Sequence, residues 1–312
     1  MEKIPTLEAD ASQEEKEELI GSKPEGVRLE TEKMDILHIS TFITIYISIL
    51  TFFLGAVFGS FINCVAWRIA HQEKWWTGRS HCAVCNHPLH FLDLIPVLSW
   101  IFLRGKCRYC KEKISPRYML TELFSGGAFL FLLFYYGDLN LWLFRSLGLF
   151  VILLGLSLVD LEIYEIPDGF LWFGILWWLS FQILNAVRKT LQSEDARFSY
   201  FFNEFLGSSY KNLLAGFTFA LALLGLSLIM DRVLKKESLG GGDIKLLFMT
   251  NLYLGFANGL FTLILACLIG LLFVGILRKS KIPFGPAISL ATMIGLLIGP
   301  YVIRWYLGLF LL

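Results

Sequence analysis

The sequence predicts an all-α polytopic membrane protein of about eight transmembrane helices with a small zinc-stapled cytoplasmic domain. Three observations lead there. Hydrophobic residues make up 56% of the 312 positions. Charged residues are only 17%, against about 25% in an ordinary soluble domain. The apolar residues fall in long runs, and roughly 20 consecutive ones are what an α-helix needs to cross a bilayer. The net charge of +1 points to no acidic partner; the bilayer is the expected surroundings and no nucleic-acid partner is expected.

Taken in order, residues 1–38 are a different material from the rest. Eleven acids, from Glu2 to Asp35, outnumber Lys3, Lys16, Lys23, Arg28 and Lys33, and no apolar core is possible. A disordered acidic tail is expected. It lacks the basic start and early apolar stretch of a signal peptide. Residues 39–66 supply the first transmembrane helix, residues 67–118 a small domain, and residues 119–312 a membrane core. The apolar runs place spans at about 40–66, 119–136, 141–160, 168–187, 212–233, 244–257, 260–277 and 286–308. The sixth is short and contains Asn251; only Asn258 and Gly259 separate it from the seventh.

Orientation follows from lysine and arginine in short loops. Residues 67–118 carry Arg68, Lys74, Arg79, Arg104, Lys106, Arg108, Lys111, Lys113 and Arg117, which makes that segment cytoplasmic. Alternation then puts 161–167, 234–243 and 278–285 on the same side. The tail, a turn at 137–140, a 188–211 loop and the C-terminus fall on the other.

The small domain needs a staple. "HCAVCNHPLHFLDLIPVLSWIFLRGKCRYC" supplies Cys82, Cys85, Cys107 and Cys110 as two CxxC pairs. Two such turns close a tetrahedral four-thiolate site, for which Zn2+ is the expected ion. A redox CxxC pair is the alternative, but no thioredoxin-like βαβ pattern surrounds it. The other cysteines, Cys64 and Cys267, sit in apolar runs and read as small buried hydrophobes. His71, His81, His87 and His90 read as surface residues. Asp93 precedes an apolar, proline-broken stretch expected to lie at the membrane interface with Trp100 as an anchor.

Carboxylates next to apolar runs are costly and raise a functional question. "SLVDLEIYEIPDGF" ends one span at Asp160 and begins the next near Asp168. Asp168 fits the first turn of a helix, where an acid complements the dipole, and the same holds for Glu122. Asp160 stands at a helix C-terminus, where negative charge is disfavoured. Asp243 follows Gly240, Gly241 and Gly242, which let the backbone approach a neighbouring helix or an extended substrate. A glycine hinge with Asp243 as helix cap is the simpler reading. Two aspartates at one depth on one side permit another: close carboxylates share a proton, one acting as base and the other as acid, as in aspartyl proteolysis.

From about residue 54 to 290 the chain resembles the type IV prepilin peptidase family, bifunctional leader peptidases and N-methyltransferases of bacterial inner membranes. The resemblance rests on "GAVFGSFINCVAWRI", the double CxxC, "DLIPVLSWIFLRGKCRYC", "ISPRYMLTEL", "DLEIYEIPD", "GGGDIKL" and "IPFGPAIS". Ala83 and Met119 stand where that family usually has proline. The resemblance implies a GxGD-type intramembrane aspartyl protease in which Asp160 and Asp243 are the catalytic pair and Asp168 accompanies them. It implies type IV prepilins and type II secretion pseudopilins as substrates, cut on the cytoplasmic side after a glycine ending a short basic leader. It also implies methylation of the new N-terminus from S-adenosylmethionine, associated with the 67–118 region, with Gly105, Lys106 and Glu122 in matching motifs. The sequence shows no glycine-rich loop of the soluble dinucleotide-binding kind. A peptidase without methylase activity, and a zinc-stabilised transporter or scaffold with proton-carrying aspartates, remain open. The oligomeric state is not legible.

Overall fold

The computed structural model describes residues 25–193, 198–235, 239–277 and 282–309, and side chains from residue 41 onward except that of residue 277. Among the described residues the regular structure is helix, with two isolated β-bridges, while residues 71–90 and 103–115 are turns and loops. Two compact units are distinguished, residues 1–51 and 52–312. Of the first, the described part is the N-terminal stretch of helix α1 (Glu25–Ala70). Helix therefore extends into what the sequence assigns to the acidic tail: after Gly26 the residues "VRLETEKM" hold strong helix formers and no breaker. Residues 1–24 of that tail lie outside the described residues.

The second unit holds the remaining elements. A short 3-10 turn (Phe91–Asp93) and α2 (Leu98–Phe102) belong to the small cysteine-bearing segment. The membrane helices follow as α3 (Pro116–Tyr136), α4 (Leu141–Ile163), α5 (Asp168–Gln192), α6 (Phe198–Leu234) and α7 (Gly241–Leu277). The last two are α8 (Gly285–Leu297) and α9 (Gly299–Gly308), bent by 64° where they meet. Six helices among the described residues are long and apolar enough to cross a membrane, or seven with the bent pair counted as one span. The protein is a multi-pass membrane protein.

Local chemistry sets the ends of these helices. Ser115 caps α3, its hydroxyl accepting from the Arg117 N–H, with Pro116 in the first turn. Gly137 closes α3 in the left-handed region at φ 73°. Asn140 caps α4 by accepting from the Leu143 N–H at 2.9 Å. The 137–140 turn makes α3 and α4 antiparallel neighbours, so the start of α3 and the end of α4 lie at the same end of the bundle. Arg117 confirms this by reaching both Glu162 and the Leu158 carbonyl.

Helix α7 covers two of the spans read from the sequence and reverses between them. Gly255 has φ 73° and ψ −177°, a conformation essentially confined to glycine. Asn251 and Gly259, each four residues from Gly255, touch one another. The two arms, 241–254 and 256–277, are thus an antiparallel hairpin. At 1.5 Å per residue the first arm is about 21 Å long, short of the ~30 Å hydrocarbon core. Arg145, buried near the start of α4, donates to the Tyr253 carbonyl at 2.6 Å. It thereby satisfies a carbonyl that the break at Gly255 leaves without a helical partner.

The core lies between α4, α5, both arms of α7, and α8. Leu149, Leu153 and Leu156 meet Leu246, Met249 and Ile288 there. Helix α1 joins α3 by close approach: a Cβ on Gly55 or Gly59 would fall within 2.8 Å of α3 atoms, the small-residue packing used between membrane helices. Helix α6 starts well before the span expected at 212–233. Its first turns, rich in stacked phenylalanines such as Phe201 and Phe205, carry too many polar residues for the hydropathy pattern to include them.

Placing alanine at Gly255 forces a side chain into that conformation. The expected cost is on the order of 1–3 kcal/mol, read as a lower midpoint of thermal unfolding in detergent. An unchanged midpoint would contradict the hairpin.

Candidate functional site

Asp160 occupies the last turns of α4 and is only 4% exposed. Its electrostatic problem, a carboxylate at a helix C-terminus, is answered from outside the helix. The Gly285 N–H, first in α8, donates to Asp160 Oδ2 at 2.8 Å. The free N–H groups and positive dipole end of α8 therefore face the carboxylate. A Cβ at position 285 would sit 2.6 Å from that oxygen, so only glycine permits the approach.

Asp243 lies half-buried in the first turn of α7, its N–H donating to the Gly240 carbonyl at 3.1 Å. Gly242 packs against Ile166 in the α4–α5 loop, which draws the start of α7 toward the end of α4. Asp243 therefore stands at the end of the bundle where α4 ends, the end that carries Asp160. Neither has an ion-pair partner among the described residues. Asp168 is placed differently: it pairs with Lys245 at 2.8 Å, with both side chains well exposed. An exposed pair of this kind contributes about 1 kcal/mol or less. Carboxylates that come close in a shielded site share a proton, and one can then take a proton from water while the other gives one to a carbonyl oxygen.

Beside α1 and α3, the four cysteines sit in two turns of the same design. A β-bridge between His81 and Pro88 closes the first turn, and one between Lys106 and Lys113 closes the second. The Cys82 N–H bonds the His87 carbonyl, and the Cys107 N–H bonds that of Glu112. Asn86 and Lys111, the residues after Cys85 and Cys110, both take left-handed backbone. The four sulfurs lie within 4.8 Å of one another, with Cys82 and Cys110 Sγ at 3.9 Å. Metal–sulfur bonds of ~2.3 Å in a tetrahedron put sulfurs about 3.8 Å apart, so the cluster could hold a metal ion. For Cys82, burial is outweighed by the backbone N–H groups of Cys85 and Val84, which bring its thiol pKa down to about 7. For Cys110, the Glu112 N–H pulls downward, but burial and the other cysteines push it up to about 11.

A cavity of about 290 Å³ opens between this cluster and the membrane helices, walled by Trp67 and Trp100 among others. Glu122 lines it and is 8% exposed. A carboxylate at this depth in a span costs ~2.5–3.5 kcal/mol if left ionised and alone. Its Oε2 accepts from the Val97 N–H at 2.7 Å, and Val97 is held at φ 63°, unusual for a β-branched residue. Gly105 and Lys106 are not among the lining residues. Gly105, at φ 67°, lets the backbone pass against the Trp100 indole, and Lys106 forms the bridge that sets Lys113 in the cavity wall. Asp93 bonds Arg108 Nε at 2.6 Å and the Tyr109 hydroxyl at 2.8 Å. Burial works to raise its carboxyl, and these bonds with the His90 N–H outweigh it, so the group is held below the usual carboxylate range.

Sequence reasoning passes over two residues. Gly285 acts through its backbone N–H, which no side-chain pattern reveals. Arg145 is a lone cation in an apolar run, and the same cost that draws attention to Asp160 could have found it.

Comparison with known proteins gives a consistent result. Residues 53–136 match the bacterial peptidase A24 N-terminal domain, and residues 147–275 match the type IV leader peptidase family. A prepilin leader peptidase/N-methyltransferase of Aeromonas hydrophila is 32% identical over 302 residues, covering 84% of this chain and 94% of the relative. A type 4 prepilin-like proteins leader peptide-processing enzyme of Escherichia coli is 30% identical over 262 residues, covering 76% and 88%. No solved structure matches the chain.

Elemental analysis of purified protein is expected to find one metal ion per chain, and Cys82→Ser or Cys107→Ser to lose it. Wild-type protein without metal would refute the cluster's assignment. The stabilisation given by Asp93 is present above the unfolded carboxylate range and is lost as pH falls below about 4. Limited proteolysis should then cut residues 71–115 faster, whereas Asp93→Asn should be cut readily at neutral pH as well.

Proposed function

This chain belongs to the type IV leader peptidase family, and on that premise we propose that Asp160 and Asp243 are the pair that removes prepilin leaders. The protein is a prepilin leader peptidase that also N-methylates the N-terminus it exposes. What supports the catalytic assignment is that Asp160 and Asp243 stand at the same end of the bundle, neither with an ion-pair partner among the described residues, Gly242 packing against the loop after α4 and the Gly285 N–H bonding Asp160.

Asp160, met by the Gly285 N–H, takes the anionic role and removes a proton from the attacking water. Asp243 gives its proton to the carbonyl oxygen of the scissile peptide. The tetrahedral intermediate then collapses, and the amine leaves with a proton returned from the pair. The glycines before Asp243 leave room for an extended substrate backbone beside it. The site lies at the end of the bundle from which the basic 67–118 segment projects, and by the positive-inside rule that end is cytoplasmic. The membrane is the bacterial inner membrane, and the substrates are type IV prepilins and type II secretion pseudopilins.

Zinc is the ion that four thiolates in a closed set select, and it serves structurally because no ligand position is left for water. The cavity between the cluster and α3 is the methylation site. Trp67 and Trp100 offer aromatic faces for a nucleoside and a cation, which suits S-adenosylmethionine. That donor supplies an electrophilic methyl group. Gly105 and Lys106 shape the wall through Trp100 and Lys113.

Asp160→Asn and Asp243→Asn should each lower leader removal by at least about 10²-fold, measured by mass spectrometry of a co-expressed prepilin, while bound zinc is retained. Processing that survives either substitution would contradict the assignment.

A further inference from the structure

The carboxylate of Glu122 is buried, held by a backbone N–H, and without a counter-ion among the described residues. It lies six residues into α3, about 9 Å along the helix from its start. The partner its Oε2 holds, the Val97 N–H, is neutral. Of the other charges at the cavity, Arg108, Asp93 and Arg68 are engaged elsewhere, and Lys113 in the wall makes no ion pair with Glu122. Asp93 holds Arg108. Arg68 gives its guanidinium to the carbonyls of Trp75, Thr77 and Gly78. No described cation lies within 4.0 Å of Glu122. Val97 keeps an unfavourable backbone conformation and so presents its N–H to this oxygen. The second oxygen has no backbone donor. This is a preorganised acceptor for a cation that none of the described residues supplies.

We propose that Glu122 seats the α-ammonium of the newly exposed N-terminus in this cavity and takes its proton before methyl transfer. The inference rests on the methylation reading above. An ammonium has no lone pair and cannot attack a methyl group; proton transfer to Glu122 frees one. The amine nitrogen then attacks the methyl carbon of a sulfonium donor. The N–C bond forms as the C–S bond breaks, the bonding pair stays on sulfur as a neutral thioether, and the product is a secondary ammonium. The Glu122 proton leaves to water.

Both reactants of this step are cations, and position decides between them. The acceptor N-terminus belongs to a membrane-held substrate and arrives at bilayer depth, where Glu122 lies. A water-soluble donor enters from the side of the cysteine cluster. Of the two reacting centres, only the acceptor nitrogen has a proton to lose, since the sulfonium sulfur bears none.

The test uses the full-length protein in detergent and compares a mature pilin peptide with a free N-terminus against its N-acetylated form. Wild type should bind the free amine at least tenfold more tightly. Glu122→Gln should lose that preference and fall at least 100-fold in methylation, while still binding S-adenosylmethionine. Glu122→Asp should recover part of both. Zinc content and thermal melting confirm that the variants fold. An amine preference or methylation rate that persists in Glu122→Gln overturns the proposal. So does loss of donor binding with the amine preference intact, which would make the carboxylate the seat of the sulfonium. Wild-type protein that neither binds the donor nor methylates would overturn the methylation reading itself, and the proposal with it.

Discussion

A carboxylate at the C-terminal end of a membrane helix faces the negative end of that helix's own dipole, and in this protein the N-terminus of α8 compensates. The hydrogen bond from Gly285 to Asp160 joins the last turns of α4 to the first of α8. Much of the surrounding architecture serves that contact. The reversal of α7 at Gly255 returns its second arm to the end of the bundle where its first arm began. There the second arm packs against the start of α8, with Gly270 against Phe284. The first arm carries Asp243 at its start. A straight α7 would carry its far end, and the start of α8 with it, to the opposite side and leave Asp160 without the Gly285 N–H.

The polar chemistry at this end of the bundle divides into two centres with different supports. The aspartate pair is held by membrane helices and by glycines that allow close approach. The cavity with Glu122 is held by a segment too small for an apolar core, which relies on two cysteine turns, the Asp93 bonds to Arg108 and Tyr109, and Trp100 against Gly105 and Ile114. Helix α3 begins directly after that segment and carries Glu122 in its second turn. Its Arg117 reaches the end of α4, close to Asp160. One helix therefore sets the spacing between the two centres.

The spans were legible because a membrane helix must satisfy its backbone internally and show an apolar surface, which leaves long runs in the sequence. The hairpin in α7 was legible as two runs parted by Asn258 and Gly259, although the actual reversal is at Gly255, whose conformation no composition signal fixes. The start of α6 was not legible, because its aromatic residues alternate with Asn203, Glu204 and Lys211. The cysteine site was legible from spacing alone. Asp160 could be singled out because it breaks a rule of helix electrostatics. Its partner Gly285 could not, since the donor is a backbone group brought in by tertiary packing. Glu122 looked like an ordinary first-turn acid; only its burial, its missing counter-ion and the strained Val97 beside it distinguish it from one.

The account depends on the two aspartates acting as one unit that holds a single proton, and the pH dependence of leader cleavage tests this most directly. The account predicts a bell-shaped rate profile between about pH 4 and 9, its acid limb reporting loss of the anionic member and its alkaline limb loss of the shared proton. A rate that is flat across this range, or that climbs without an alkaline limb, would contradict it.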